Sequence, residues 1–418
     1  MNNNKFDNVL LKQYVSDYFT PKQLIYDNSV GVFLTPFEYK NYLDYLDNND
    51  VKLIEKLPLK VFNHKNIYYM LSMGLQALMN NYMDLVIDDY TKHSSFISNR
   101  YFAEFKKSRI YSEIEGTLNV ENVPTTRKRL KELLEDNVPA SSKNDIIIKN
   151  MGAAVEFVEN VPEFNKENLF KLYSILSKDC LGKDNELRPG DYYRYDTVTI
   201  DRYAGCDVDK IEECMNSLFD FVAVSLSQKD DKKLTKLLLP HICHYYLLYI
   251  HPYFDYNGRT ARMVSYWVYL LTKSTYFPPI ISEAINQTKS LYYRAIELSR
   301  DAHNDITYFL KYIFKISIQY MLCYSNLDLV ILHAKNKGII LTSTEINYLK
   351  RIFVSYEGKF AYYDFLKMCN VGMSKQGALK ILNKFIECGA LIECETKSKT
   401  KLFDINTKIA TYKMNALN

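Results

Sequence analysis

The sequence predicts a mostly α-helical protein with a small α+β module at its C-terminal end, on three observations. Apolar residues recur at three-to-four spacing through most of the chain, the alternating pattern of a strand is confined to two short stretches, and the composition is that of a folded protein. The 418 residues are 47% hydrophobic and 24% charged, with only 13 Gly and 11 Pro, which excludes disordered, collagen-like and low-complexity classes. At roughly 100–200 residues per domain, this length allows two to four domains. The unusual term is aromatic: 36 Tyr, 22 Phe and one Trp make 14% of the chain, and Tyr brings a hydroxyl along with its apolar ring.

Helical periodicity runs over residues 65–88, 165–179, 207–227, 232–250 and 258–273. The first strand-like stretch is Tyr195-Asp196-Thr197-Val198-Thr199-Ile200, after the turn pair Pro189-Gly190. The second spans residues 390–405, where a Thr/Lys/Ser cluster separates two short apolar runs like a hairpin turn. Three regions are expected: a helical N-terminal region over 1–95, a helical unit over 96–330 that carries the chemistry, and the small module over 342–418. Lys335-Asn336-Lys337-Gly338 is the linker before the last of these.

Net charge is only +4, too mild to demand a nucleic-acid partner, but residues 341–418 hold 12 Lys and Arg against 7 Asp and Glu. The first seven residues lack the basic and apolar regions of a secretory signal, and no stretch of about 18 apolar residues offers a membrane span. A cytoplasmic protein with no membrane partner is expected. Eight widely spread Cys, none in a C-x-x-C pair, fit reduced thiols. His241 and His244 share a helix face in an apolar segment and read as core histidines.

The informative segment is His251-Pro252-Tyr253-Phe254-Asp255-Tyr256-Asn257-Gly258-Arg259-Thr260-Ala261-Arg262. Pro252 favours an extended His251, so the preceding helix ends there with the imidazole at the mouth of a loop. Asn257-Gly258 is a turn pair feeding the next helix, whose N-terminus presents unpaired N–H groups to an anion. Arg259 adds a donor fork matched to phosphate. Asp255 supplies a hard oxygen of the kind Mg²⁺ uses when shared with substrate phosphates. A base, a metal carboxylate and an anion hole within twelve residues are the parts of phosphoryl or nucleotidyl transfer.

This segment resembles the signature of the Fic family, His-Pro-Phe-x-(Asp/Glu)-Gly-Asn-(Gly/Lys)-Arg-x-x-Arg, at His251, Pro252, Asp255, Asn257, Gly258, Arg259 and Arg262. Tyr253 replaces the usual Phe, and Tyr256 replaces a Gly that allows positive φ and close approach to phosphate. The resemblance covers roughly residues 96–330 and implies a Fic-type helical core with a short β-hairpin flap. It also implies AMP transfer from ATP, with Mg²⁺, to a Ser, Thr or Tyr hydroxyl of a target protein or of the chain itself. His251 would then deprotonate the hydroxyl, Asp255 would hold Mg²⁺, and Asn257, Gly258 and Arg259 would cradle the phosphates. Gly258 is similar to the adenylylating members rather than the kinase-like branch. Thr197, Val198, Thr199 and Ile200 sit where the family has its target-docking flap, against the plainer reading of a surface hairpin. Tyr292-Tyr293 resembles the wall for adenine, against the reading of a core pair.

Upstream, Tyr111-Ser112-Glu113-Ile114-Glu115-Gly116 resembles the family's inhibitory helix, (Ser/Thr)-x-x-x-Glu-(Gly/Asn), with Glu115 expected to pair with Arg262. A carboxylate there would compete with phosphate by charge and volume. Some members braked in this way also remove AMP from their targets. The module over 342–418 resembles a winged helix, with Ser374 as N-cap, Lys375, Gln376, Lys380, Asn383 and Lys384 on the third helix, and Lys397, Lys399 and Lys401 in the wing. Contact with DNA and protein contact, such as homodimerisation, are weighed equally for it. The expectation is an autoinhibited protein adenylyltransferase; the alternative is a DNA-binding regulator that uses the Fic-like unit as a nucleotide sensor.

Overall fold

The computed structural model describes residues 3–16, 18–64, 66–95, 99–227, 233–273, 281–355, 359–369, 371–395 and 400–406. Helices begin where capping chemistry predicts. Thr20-Pro21 and Thr35-Pro36 each start a helix with Pro in its first turn, and Gln23 and Glu38 close reciprocal capping boxes onto the Thr backbones.

In chain order the elements are α1 (Asn3–Val15), α2 (Pro21–Tyr26), α3 (Pro36–Asn48), β1 (Ile54–Leu57), β2 (Ile67–Met70), α4 (Met73–Ser95), α5 (Asn99–Val120), α6 (Arg127–Leu134), α7 (Lys143–Asn160) and α8 (Lys166–Ser177). There follow β3 (Thr199–Ile200), β4 (Tyr203–Ala204), α9 (Val208–Ser227), α10 (Lys233–Ile250), α11 (Asn257–Leu271), α12 (Ile281–Gln287), α13 (Lys289–Asp301) and α14 (Thr307–Asn336). The last are α15 (Ser343–Ser355), α16 (Tyr362–Cys369), α17 (Lys375–Glu387), β5 (Leu391–Cys394) and β6 (Leu402–Ile405). Among the described residues, strands occur as two-stranded antiparallel hairpins, β1 with β2, β3 with β4 and β5 with β6. The protein is thus mostly helical.

Two units result: residues 1–83 with 93–314, and 84–92 with 315–418. The N-terminal region expected as a separate unit over 1–95 instead shares the first unit. Phe6, Leu24, Leu34 and Tyr42 form one buried cluster with Tyr68, Ala302 and Tyr308. Tyrosine hydroxyls tie the same segments together. Tyr18 donates to Asp305, Tyr308 to the Phe19 carbonyl at 2.7 Å, and, from α10, Tyr246 to the Lys60 carbonyl at 2.6 Å and Tyr249 to Asn63 Oδ1 at 2.5 Å. Each of these four hydroxyls thereby keeps a partner, which an apolar ring of the same size could not offer to these loops. The single Trp, Trp267, is fully buried and donates from Nε1 to the Val161 carbonyl, 2.9 Å away.

In the second unit α15, α16 and α17 precede the β5–β6 hairpin, and Phe360 makes a bridge to Phe403 of β6. Ile352, Phe365, Leu382, Phe385 and Phe403 are fully buried there. Ser374 caps α17, accepting from Gly377 N at 3.2 Å. Lys384 is engaged by Glu345 at 2.7 Å, and Lys401 by Glu393 at 2.8 Å. Two of the lysines expected to meet DNA therefore have internal carboxylate partners; Lys397 and Lys399 lie outside the described residues.

A core shared between Phe6 and Tyr308 should respond as one body. Leu24→Ala is expected to cost about 2–5 kcal/mol and to raise amide hydrogen exchange both in α2 and at the start of α14. Exchange that rises in α2 alone would mean that the N-terminal helices fold as a separate domain.

Candidate active site

The site is built on the end of α10. Four terminal carbonyls of a helix lack intrahelical donors, and here buried guanidinium groups and backbone N–H groups together serve that end of the chain. Arg300 donates to the Leu248 carbonyl at 2.7 Å, and Arg194 Nε to the His251 carbonyl at 2.8 Å. Cys206 N donates to Ile250 O at 3.1 Å, and Arg194 N to Pro252 O at 2.9 Å. Arg194 also reaches the carbonyls of Asp196 and Cys206. Cations at a helix C-terminus meet the negative end of its dipole. They also fix His251, which leaves the helix in the left-handed region with φ of 56°. Burial, with the positive charges of Arg300 and Arg194, pulls the His251 imidazole down to about 4. It is therefore neutral at pH 7 and able to accept a proton.

From His251 the chain crosses a closed loop into α11. Asn257 Oδ1 accepts from Tyr253 N at 3.0 Å and its Nδ2 donates to Tyr253 O at 2.8 Å. The Asn257 side chain thus closes the loop, and what it offers an anion is its backbone N–H in the first turn of α11. Tyr253 itself stacks on Tyr173 with ring centroids 3.7 Å apart. Tyr256 takes φ of 65° at the N-cap, so it accepts the left-handed conformation that Gly would give freely. Its ring is buried, with the Arg259 guanidinium over it at 3.4 Å from the centroid. Arg259, expected among the phosphate ligands, is held against that ring and is not among the residues lining the cleft. Asp255 is half-exposed and accepts from Tyr256 N at 2.6 Å.

The cleft, with the solvent-open space at its mouth, spans about 870 Å³ and brings His251, Asp255, Asn257, Gly258 and Arg262 onto one surface with Tyr292, Tyr293 and Ile200. Tyr292 is buried, its hydroxyl 2.9 Å from His244 Nε2, whereas Tyr293 exposes 44% of its surface. Tyr293 is thus the ring free to stack a base. Of the four residues expected as the flap, Thr199 and Ile200 form β3, paired to Ala204 and Tyr203, while Val198 O accepts from Gly205 N. Thr197 precedes the strand. Arg202 and Tyr203 tether the hairpin to Asp301 at 2.6 and 2.7 Å.

The expected partner of Arg262 requires correction. Glu115 lies 3.5 Å from Arg127 of α6. Arg262 instead meets Glu121 at 2.5 Å and donates from Nε to Thr117 Oγ1 at 2.7 Å. Thr117 and Glu121 are four apart and share a helical face, which Glu115 does not. Thr117-Leu118-Asn119-Val120-Glu121-Asn122 fills every position of the (Ser/Thr)-x-x-x-Glu-(Gly/Asn) pattern, so one frame further along the signal was present. The Glu121 carboxylate lies so close to the start of α11 that a Cβ on Gly258 would come within 2.7 Å of it. It therefore fills the anion position at that helix N-terminus, and the nearby Arg262 charge lowers its pKa.

Two further contacts seat the helix that carries Glu121. Glu113 accepts from Ser282 N at 2.9 Å, and from Ile281 N, at the start of α12. Gly116 lets α5 press on α12, since a Cβ there would lie 2.3 Å from Glu283 N.

A helical core whose central helix ends on a neutral His, with a helix N-terminus behind it, places a proton acceptor beside a site suited to an anion. Residues 163–269 match the model of the Fic/DOC family, and the chain accordingly carries a Fic domain. The protein adenylyltransferase Fic of Nematostella vectensis is 31% identical over 138 residues, covering 33% of this chain and 30% of that one. The protein of the same name from Drosophila ananassae is 24% identical over 213 residues, covering 50% and 40%. Against these relatives the chain spans well under half their length. Among solved structures, a Fic family protein from Desulfovibrio desulfuricans is 17% identical with a TM-score of 0.49, covering 81% of this chain and 97% of that one. Fic-1 from C. elegans is 15% identical with a TM-score of 0.45, covering 60% and 71%.

Because His251 is neutral far below its ordinary range, protonation should not remove the base until the pH approaches 4. The kcat/KM for nucleotide transfer is expected to stay flat from pH 7 down to about 5, since it reports the free enzyme's base. An acid limb centred near 6.5 would show that the imidazole is solvated, not buried between Arg194 and Arg300.

Proposed function

We propose that the chain is an ATP-dependent protein adenylyltransferase held inactive by Glu121. The observation that carries this reading is one cleft holding a neutral His251 beside the N-terminus of α11, with a carboxylate seated where a phosphate would bind. The names of the Nematostella and Drosophila relatives support the same reaction.

A target hydroxyl attacks the α-phosphorus of ATP and forms a new P–O bond. The bond from that phosphorus to the β-phosphate oxygen breaks, pyrophosphate leaves, and the hydroxyl proton goes to His251. The backbone N–H groups of Asn257 and Gly258 face the phosphates with the positive end of the α11 dipole. Asp255 fits Mg²⁺: it is a half-exposed carboxylate on the cleft wall, and Mg²⁺ is commonly held by one carboxylate together with substrate phosphates. Bound there, the ion would neutralise phosphate charge. Tyr293 offers its open face to the adenine, with Tyr292 behind it. The free edge of β3 offers main-chain hydrogen bonds to an extended target segment, a mode that tolerates varied sequence.

Glu121 blocks this arrangement by occupying the anion position and engaging Arg262. No described helix is long and apolar enough to cross a membrane, and a cytoplasmic target, or self-modification on exposed tyrosines, suits that reading. The nucleotide-sensing DNA regulator is not supported by the relatives, and Lys384 and Lys401 are engaged within their own unit. The module over 342–418 keeps the helix, helix, helix, hairpin order of a winged helix and is assigned here to protein contacts.

With ATP labelled on the α-phosphate and Mg²⁺, Glu121→Gly should label protein at least about tenfold faster than wild type, the factor that 1.4 kcal/mol of lost competition gives. Glu115→Gly should change little, and Glu121→Gly combined with His251→Ala should abolish labelling. Gly116→Ala, which forces α5 off α12, should act in the direction of Glu121→Gly. Wild-type rates in Glu121→Gly would remove the brake, and label persisting without His251 would remove the base.

A further inference from the structure

Away from the cleft, three side chains from distant parts of the first unit converge. Asp47 lies in the last turn of α3, His64 in the loop between β1 and β2, and His303 in the loop between α13 and α14. One donor atom from each lies within 4.8 Å of the others. His303 Nδ1 is 2.9 Å from Asp47 Oδ2, and the His64 and His303 rings stack with centroids 3.9 Å apart.

Three features set this cluster apart from a chance meeting of polar side chains. Asp47 is 8% exposed, yet its Oδ1 is buried without a hydrogen-bond partner, a costly state for a carboxylate oxygen. Lys56 and Asn66 both donate to the Asp47 backbone carbonyl and leave that oxygen unanswered. Both histidines, and Asn304 next to one of them, hold positive φ of 54°, 55° and 65°. Left-handed non-glycine residues cost about 1–3 kcal/mol each and gather where a site over-determines the backbone.

We infer that Asp47, His64 and His303 bind a divalent transition-metal ion of the zinc class. Two imidazoles and one carboxylate are borderline donors suited to Zn²⁺, whereas Mg²⁺ and Ca²⁺ seek oxygen ligands. Three protein ligands leave a fourth tetrahedral position to solvent, which exposed His64 admits. Bonds of about 2.0–2.1 Å place tetrahedral ligands roughly 3.3 Å apart, so the cluster must tighten and the stacked rings must splay. His64, on an exposed loop, is the one free to turn. The ion would take up the unpartnered Oδ1 and pin the β1–β2 hairpin and α3 to the loop that follows Arg300. This site is independent of the nucleotide cleft and of the reaction proposed there.

The full chain, stripped with a chelator and titrated with ZnCl₂ by calorimetry, should bind one equivalent at this site and gain in Tm, while MgCl₂ gives no gain. His64→Ala and His303→Ala should each weaken that binding by at least the factor of about 10–100 that outer-shell changes cost at metal sites, and erase the gain in Tm. His64 is exposed, so its replacement leaves the fold intact and the reading unambiguous. Zinc uptake and Tm gain that both variants retain overturn the proposal, as does no uptake by the wild-type chain.

Discussion

Arg262 is a guanidinium placed where water cannot serve it, and much of the first unit follows from that constraint. It is 5% exposed, and a buried cation requires a partner that is both charged and hydrogen-bonded. Thr117 of α5 and Glu121, one residue past its end, meet that need; in the productive complex proposed above an anion of the substrate would. The same positive site thus stabilises two mutually exclusive states, which is what makes a carboxylate an effective competitor. The seat of α5 belongs to the same constraint. Gly116 permits a crossing with α12 too close for any Cβ, and Glu113 caps α12 with burial pushing its carboxyl up to about 7. Both contacts hold the register that brings Glu121 onto Arg262.

The catalytic end of the site rests on a second pair of buried cations. Arg194 and Arg300 spend their donors on backbone carbonyls, those of Leu248 and His251 among them, and not on carboxylates, so their positive charge reaches His251. The two arginines therefore act twice. They complete the helix end that aims the imidazole, and they keep the imidazole neutral. Tuning a base by desolvation and like charge is a common way to have its lone pair available at neutral pH.

How much of this was legible beforehand depended on range. The helical character, the hairpins near residues 200 and 400 and the loop from His251 to Arg262 follow from local periodicity and turn chemistry, and they form, except that His251, expected to be extended before Pro252, is left-handed with φ of 56°. The choice of Glu115 failed on helical phase: Glu115 and Glu121 are six residues apart, so they leave α5 on different sides, and only Glu121 is in register with Thr117. The role of Asn257 was masked because its side chain closes a loop through contacts four residues away, leaving only its N–H for an anion. Arg194, Arg300 and the meeting of Asp47 with His303, 256 residues apart, are tertiary juxtapositions with no local signal at all. The N-terminal helices looked separable for the same reason, since their core partners Ala302 and Tyr308 lie at the other end of the unit.

The tyrosine excess gains its explanation from these long-range contacts. A loop that must lie against an apolar helix carries backbone carbonyls that need donors, and a tyrosine supplies a large buried ring and one such donor from a single side chain. Tyr246 does this for Lys60 and Tyr308 for Phe19, while Tyr249 donates to the Asn63 side chain in the same loop. At Tyr256 a different balance holds. The left-handed backbone costs about 1–3 kcal/mol for a non-glycine residue, and a desolvated cation–π contact of the kind Arg259 makes returns about 2 kcal/mol. The ring thus offsets its own strain while holding Arg259 against it, so that under the proposed reaction phosphate contact would fall on the α11 N–H groups and on Arg262. Those are the two elements that Glu121 lies against, through its contact with Arg262 and its approach to Gly258, which is why a single carboxylate could act as the proposed brake.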